Sequence, residues 1–126
     1  MKQKILSNNA PTPIGPYSQA IKINNMIFLS GQIAINPKTN LLVTDNIEEE
    51  AKMVMENIQN ILLECNCTFD DIVKCTIFLS NINLFNSVNQ IYGSYFNEPY
   101  PARETVEVSR LPKNVNIEIS AIAIAK

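Results

Sequence analysis

The 126-residue sequence predicts one α+β domain, a β-sheet with two helices packed on one of its faces. Three observations point there. Residues 45–65 and 84–96 repeat apolar side chains at helical spacing. The other apolar runs are short, rich in Ile and Val, and separated by turn residues. The resulting order, strand-helix-strand-helix-strand-strand after a hairpin, interleaves helices with strands. The length suits a single unit, 1–126, with no repeat, linker or low-complexity block. A chain of this size buries roughly two-thirds of the surface its unfolded form exposes, enough for a core without staples.

Each element has its own reason. The head, Ala10-Pro11-Thr12-Pro13-Ile14-Gly15-Pro16-Tyr17, is too rich in Pro and Gly for a helix or a central strand. Ala20–Ile23 and Met26–Leu29 flank Asn24-Asn25, a pair that tolerates positive φ and so reads as a hairpin turn. Gly31, in Ser30-Gly31-Gln32, marks a bend or a close approach to the backbone. A loop runs through Asn36–Asn40. Asp45 with Glu48 resembles a capping box, and Glu48-Glu49-Glu50 suit the positive end of a helix dipole. Ile47, Ala51, Val54, Ile58, Ile61, Leu62 and Cys65 form the apolar face of that helix, and Asn66 is its left-handed stop. Asp70 and Asp71 mark a turn. Ile72–Ser80 reads as a buried strand with Val73, Cys75, Ile77 and Leu79 on one face. The second helix is expected over Leu84–Phe96, and strands over Arg103–Val108 and Val115–Ile124. Two helices on one sheet face leave the other face open, which for so small a chain predicts an oligomer.

Composition removes several chemistries. There is no His, so no Ser-His-Asp triad, no Cys-His pair and no His-ligated zinc or haem. Net charge is −2 with a pI near 5.1 and no basic run beyond Lys2/Lys4, so a nucleic acid partner is not favoured. Cys65, Cys67 and Cys75 are an odd number and argue against a disulfide framework; they read as structural thiols. With no His and only three Cys, a tetrahedral zinc site within one chain lacks its usual ligands. The first seven residues lack an apolar core of signal-peptide length, and no apolar stretch approaches the ~18 residues a membrane span needs. A cytoplasmic protein without membrane contact is the expectation.

Two charged residues stand out. Arg103, one of only two arginines, opens a strand directly after Tyr100-Pro101-Ala102. A guanidinium on a rigid strand end can take a small carboxylate in a bidentate grip, or it can pair with one of the chain's own twelve acids. Glu118 is a lone acid in the apolar run Ile117-Glu118-Ile119, so its face is wet or it has a task; desolvation would make it a usable proton carrier. Asn89 lies at the edge of the second helix's apolar stripe and needs partners, from the backbone or from something bound.

Several motifs resemble one family in order. Asn9-Ala10-Pro11, Ile14-Gly15-Pro16-Tyr17-Ser18-Gln19-Ala20 and Leu29-Ser30-Gly31-Gln32-Ile33 resemble the N-terminal pattern of the RidA/YjgF reactive-intermediate (enamine/imine) deaminases. Val88-Asn89-x-x-Tyr92 resembles their middle segment. Pro101-Ala102-Arg103, Thr105-Val106-Glu107-Val108, Arg110-Leu111-Pro112-Lys113 and Ile117-Glu118-Ile119 resemble their C-terminal signature. The resemblance implies a chorismate-mutase-like (ferredoxin-like) fold, a mixed six-stranded sheet whose last strand slots between earlier ones. It implies a homotrimer with a central barrel and three clefts between subunits. The activity implied is hydrolysis of 2-imino acids, formed from 2-aminoacrylate and related enamines, to 2-oxo acids and ammonia, a reaction for which no metal or organic cofactor is expected. Carried over by position, Arg103 would hold the substrate carboxylate with the backbone N–H of Thr105. Glu118 would position or activate water, the Gly31 backbone would bond near the imine nitrogen, and Tyr17, Ser30 and Asn89 would line or support the cleft. Two residues depart from the pattern: Glu104 stands where a small residue is common, and Thr105 where Cys is frequent. The alternatives are an endoribonuclease or translation inhibitor, and a non-catalytic ligand-binding or chaperone-like trimer.

Overall fold

The computed structural model describes residues 1–126. Six strands form one sheet: β1 (Gln3–Ile5), β2 (Ala20–Ile23), β3 (Met26–Gln32), β4 (Ile72–Leu79), β5 (Ala102–Glu107) and β6 (Ile117–Ile124). Their spatial order is β1-β2-β3-β6-β4-β5, antiparallel throughout except for the parallel pair β4 and β5. The last strand therefore sits between β3 and β4, and β5 and β6 do not form a hairpin. Helices α1 (Ile47–Leu63) and α2 (Phe85–Gly93) supply the second layer. Ile27, Leu29, Cys75, Ile77, Leu79, Ile117, Ile119, Ala121 and Ala123 point toward them and close the core against Val54, Met55, Ile58, Ile61 and Leu62.

Several local expectations hold for the reasons given. Asn24 turns the β2–β3 hairpin at φ 53°, and Asn66 ends the α1 region at φ 55°. The cap of α1 is different: Asn46, not Asp45, is the N-cap, and its side chain accepts from the Glu49 N–H at 2.8 Å. A reciprocal capping box does exist, at Thr68 and Asp71, over the short 3-10 turn Phe69–Asp71. Strand β1 was not expected; three residues with two polar side chains carry no periodic signal, and pairing with β2 alone makes them a strand.

Two further boundaries differ. Val73 is exposed because β4 bulges between Ile72 and Lys74 against β6, which returns Ile72 to the core instead. The second helix is shorter than Leu84–Phe96: a 3-10 turn covers Ile82–Leu84, and α2 ends at Gly93. The aromatic stripe outlasts the helix because Tyr95 and Phe96 still pack on Phe69, with ring centroids 5.2 and 5.4 Å apart. No helix is long and apolar enough to cross a membrane.

Candidate active site

The residues singled out from the sequence gather in two places. On the helix-covered side, Arg103 faces α2 because it registers with buried Cys75 of β4. Its Nη1 donates to Asn89 Oδ1 at 2.7 Å, and its guanidinium carbon lies 5.1 Å from the Tyr92 ring centroid and 5.5 Å from that of Phe85. The ion pairs of the chain are Lys52–Glu49, Lys74–Glu104 and Lys126–Asp71; none involves Arg103. Of the two readings of this arginine, the internal acid pair is thus ruled out. Asn89 and two aromatic faces orient it while leaving most of its five donors unused. Tyr100, Pro101 and Gly93 complete the concavity around it.

Thr105 follows on the same strand and face. The Val108 N–H donates to Leu79 O at 2.9 Å, so by strand alternation the N–H groups of Arg103 and Thr105 turn toward the free edge of β5. Glu104 points to the opposite face. Its carboxylate accepts from Thr76 Oγ1 and lies 3.4 Å from Lys74 Nζ, which together hold its pKa below the usual carboxylate range. Its charge is thus engaged on the side of the sheet away from Arg103.

The second place is a cleft of about 550 Å³ that includes Tyr17, Ser30, Gly31 and Glu118. Glu118 registers with Phe78 on the sheet face that the helices do not cover, and burial alone pushes its carboxyl pKa up. Against β6, β3 advances from Leu29 to Gln32 while its partner advances only from Ala121 to Ile119. That bulge at Ser30-Gly31 brings the backbone against the carboxyl: a Cβ on Gly31 would overlap Glu118 Oε2 and lie 2.8 Å from its Cδ. The close approach expected of Gly31 is therefore made by Glu118. Ser30 Oγ donates to Ser18 O at 2.6 Å, so Ser30 ties the cleft wall together.

Arg103 and Glu118 thus lie on opposite faces of one sheet, and no single chain brings them together. Tyr17, Ser30, Gly31 and Glu118 are assembled in one cleft, and Asn89 and Arg103 in the other. Sequence reasoning missed three residues. Tyr92, taken only as core, lies under the Arg103 guanidinium; its buried hydroxyl faces the Cys75 thiol without a well-formed hydrogen bond. Gln19, fully buried, accepts from the Ser7 N–H at 2.6 Å and donates to Ser7 O and Pro11 O, fixing the segment that carries Pro11 and Thr12 into the cleft. Lys113 reaches the cleft from a turn in which both it and Asn114 have φ 55°. All three stand in motifs quoted for the family resemblance, and Tyr92 had a local signal as well, its place three residues after the stripe-edge Asn89 on the same helix face. No group of three or more Cys, Asp or Glu side chains converges as a metal-ligating set.

Comparison with known proteins bears on this geometry. The family model described as Endoribonuclease L-PSP matches residues 7–125. A RutC family protein of Pyrococcus abyssi is 52% identical over 122 residues, covering 97% of this chain and 96% of that one. A Homo sapiens protein named 2-iminobutanoate/2-iminopropanoate deaminase is 44% identical over 124 residues, covering 98% and 90%. The crystal structure of the YjgF gene product of E. coli superposes with a TM-score of 0.93 at 42% identity, covering 98% and 99%. With its mixed sheet, its two helices and a match over nearly its whole length, the chain belongs to the RidA/YjgF, or L-PSP, family.

Proposed function

We propose that this protein hydrolyses 2-imino acids, such as 2-iminopropanoate and 2-iminobutanoate, to 2-oxo acids and ammonia. The observation that carries the reading is the Arg103 guanidinium, held by a neutral amide and two aromatic rings and left without an acid. A half-buried cation without a counter-ion is a receptor for an anion. In this reading Arg103 grips the substrate carboxylate, assisted by the free-edge N–H of Thr105. Glu118, raised by burial toward the range useful for proton transfer, takes a proton from water as the oxygen attacks the imine carbon. With the imine entering protonated, the resulting carbinolamine takes that proton from Glu118 on its nitrogen. The C–N bond then breaks as the hydroxyl proton passes to the Glu118 carboxylate and C=O forms, and the 2-oxo acid and ammonia leave. Glu118 returns its proton to solvent or to the departing ammonia. The Gly31 backbone and Tyr17 line the same cleft and bound the position of the nitrogen. Protonated imines react with water unaided, so orientation and acid–base help worth about 10²–10⁴-fold suffice.

Such a site needs two chains, because its two charged groups face opposite sides of one sheet. The uncovered face supplies a means of assembly: Ile23, Met26, Phe28 and Val106 are exposed there, beside half-buried Phe78 and Ile122. We assign it to the centre of a homotrimer with clefts between subunits. An endoribonuclease, as the family model is described, finds less support in a chain with no His, two Arg and a pI near 5.1.

The test is direct. A pyridoxal-phosphate-dependent dehydratase generates 2-aminoacrylate, and loss of its imine is followed with and without this protein. Faster loss is expected, and Arg103→Ala should lower kcat/KM about 10- to 100-fold, the equivalent of one charge-assisted hydrogen-bond pair. No acceleration over buffer, or equal acceleration by Arg103→Ala, would overturn the proposal.

A further inference from the structure

Two polar side chains lie fully buried on the apolar face of α1, and the proposed chemistry uses neither. Glu50 and Asn57 are each 0% exposed among Ala51, Val54, Ile58 and Ile61. They are seven residues apart, on one face and about 10 Å from each other along the axis. Glu50 Oε2 accepts from the backbone N–H groups of Asn116 at 2.7 Å and Ile117 at 3.1 Å, while Oε1 accepts from Asn116 Nδ2 at 2.7 Å. Asn57 Nδ2 donates to Ile33 O at 3.2 Å and Ile35 O at 3.0 Å.

The partners of Asn57 line the Glu118 cleft, and those of Glu50 lie in the chain between two of its lining residues, Lys113 and Glu118. Ile33 and Ile35 line it just beyond Gly31, and Pro112, Lys113 and Glu118 line it on the side of Asn116 and Ile117. Neither wall is held by regular ladder bonds alone. One follows a bulge in β3; the other follows two consecutive left-handed residues, Lys113 and Asn114, a conformation that persists only where the surroundings over-determine it. Asn57 does this while leaving its own Oδ1 buried without a partner. A buried oxygen without a protein partner carries a cost in stability that calls for an explanation.

We propose that Glu50 and Asn57 are positioning residues: α1 clamps both walls of the cleft with them and so sets the distance between the Glu118 carboxyl and the Gly31 backbone. Glu50 acts from behind the sheet, holding the residue next to Glu118. This inference rests on the imine-hydrolase reading for its kinetic consequence, and on geometry alone for its effect on Glu118.

The experiment compares Glu50→Leu, Glu50→Gln and Asn116→Ala with the parent chain, by steady-state kinetics and by carbon-detected NMR titration of the Glu118 carboxyl. Tyr17 and Lys113 are the other ionisable groups lining the cleft. With Glu50→Leu, kcat should fall about 10- to 100-fold, the usual cost of ångström-scale misplacement, while KM stays within about twofold because Arg103 is untouched. The Glu118 titration should move down toward the ordinary carboxyl range as the wall loosens and water enters. Glu50→Gln keeps one oxygen for both backbone donors and can donate to a flipped Asn116 amide, so it should restore kcat to within about threefold. Should Glu50→Leu fail to fold, Asn116→Ala removes the Nδ2 link to Glu50, together with the bond that Ser80 Oγ donates to Asn116 Oδ1 at 3.2 Å, and leaves the core side chains in place; it should shift both readouts in the same direction, less far. Unchanged kcat with an unmoved Glu118 titration in the folded variants would overturn the inference. If the parent chain proves inactive toward imines, the function reading fails by itself, and the Glu118 titration still decides this one.

Discussion

Arg103 and Glu118 are charged groups kept in opposite ways. Arg103 is stacked and hydrogen-bonded but not neutralised, so its charge stays available. Glu118 is desolvated, so its neutral form gains. A folded-state pKa above the unfolded one means that stability is complete below the ordinary carboxyl range and is lost as pH rises through the folded value. Glu118→Gln removes that loss. It should therefore melt at a higher temperature than the parent near pH 8, with the difference closing as pH falls to about 4, where both side chains are neutral. Scanning calorimetry of the two proteins across that range tests this; a difference that stayed constant with pH would contradict it. Both residues could be found in the sequence, since a lone acid between isoleucines and an arginine after a proline-stiffened turn break their local pattern. Glu50 could not be separated from Glu48 and Glu49 so easily. Three acids at a helix start satisfy the dipole argument, yet at 3.6 residues per turn the third falls on the Ile47–Val54 face. Asn57 hid in the same way, between Val54 and Ile61.

At the scale of elements, the decisive irregularities are bulges. The one in β3 brings Gly31 onto Glu118, and the one in β4 turns Val73 outward. Gly31 does not have the positive φ that would exclude a side chain, so the effect of adding one is steric and aimed at a single partner. Gly31→Ala should leave the chain folded, cost about 1–3 kcal/mol of stability, and lower kcat/KM by 10-fold or more as Glu118 is pushed aside. Thermal melts and kinetics of Gly31→Ala check this, and a Gly31→Ala, Glu118→Asp double-mutant cycle should show coupling because the shorter acid relieves the overlap. Periodicity located both helices and five of six strands, yet it missed these bulges. Inserting one residue changes which face follows; Gly31 marked the place in β3, whereas nothing in the run from Ile72 to Lys74 announces the insertion in β4. The end of α2 escaped for a related reason: residues in the turn after Gly93 pack as well as helical ones do, so the apolar stripe runs on past the helix.

At the scale of the molecule, the sheet has one face closed by helices and one left uncovered. In the proposed trimer, Phe28→Asp would place a carboxylate opposite Ile122 at the centre of the assembly. It should reduce the particle to a monomer by light scattering and abolish activity without unfolding the helices. Mixing supplies a sharper check. Arg103→Ala and Glu118→Gln should each keep at most about a tenth of parental activity alone, yet after co-refolding in equal amounts about a quarter of the clefts combine an intact arginine with an intact glutamate. Recovery of about a quarter of parental activity is the expected result; no recovery would place both groups within one chain's reach. This open face could be inferred from the count of helices and strands alone, whereas the division of site residues between its two sides required the register.

That division has a consequence for how the protein behaves in use. In the proposed trimer a lone subunit would carry half of two sites and the whole of none, so catalysis would begin only where copies meet. Rate per chain should then fall on dilution and rise again with concentration, up to the point where every copy has neighbours. Abundance would set not just how fast imines are cleared but whether the protein is an enzyme at all.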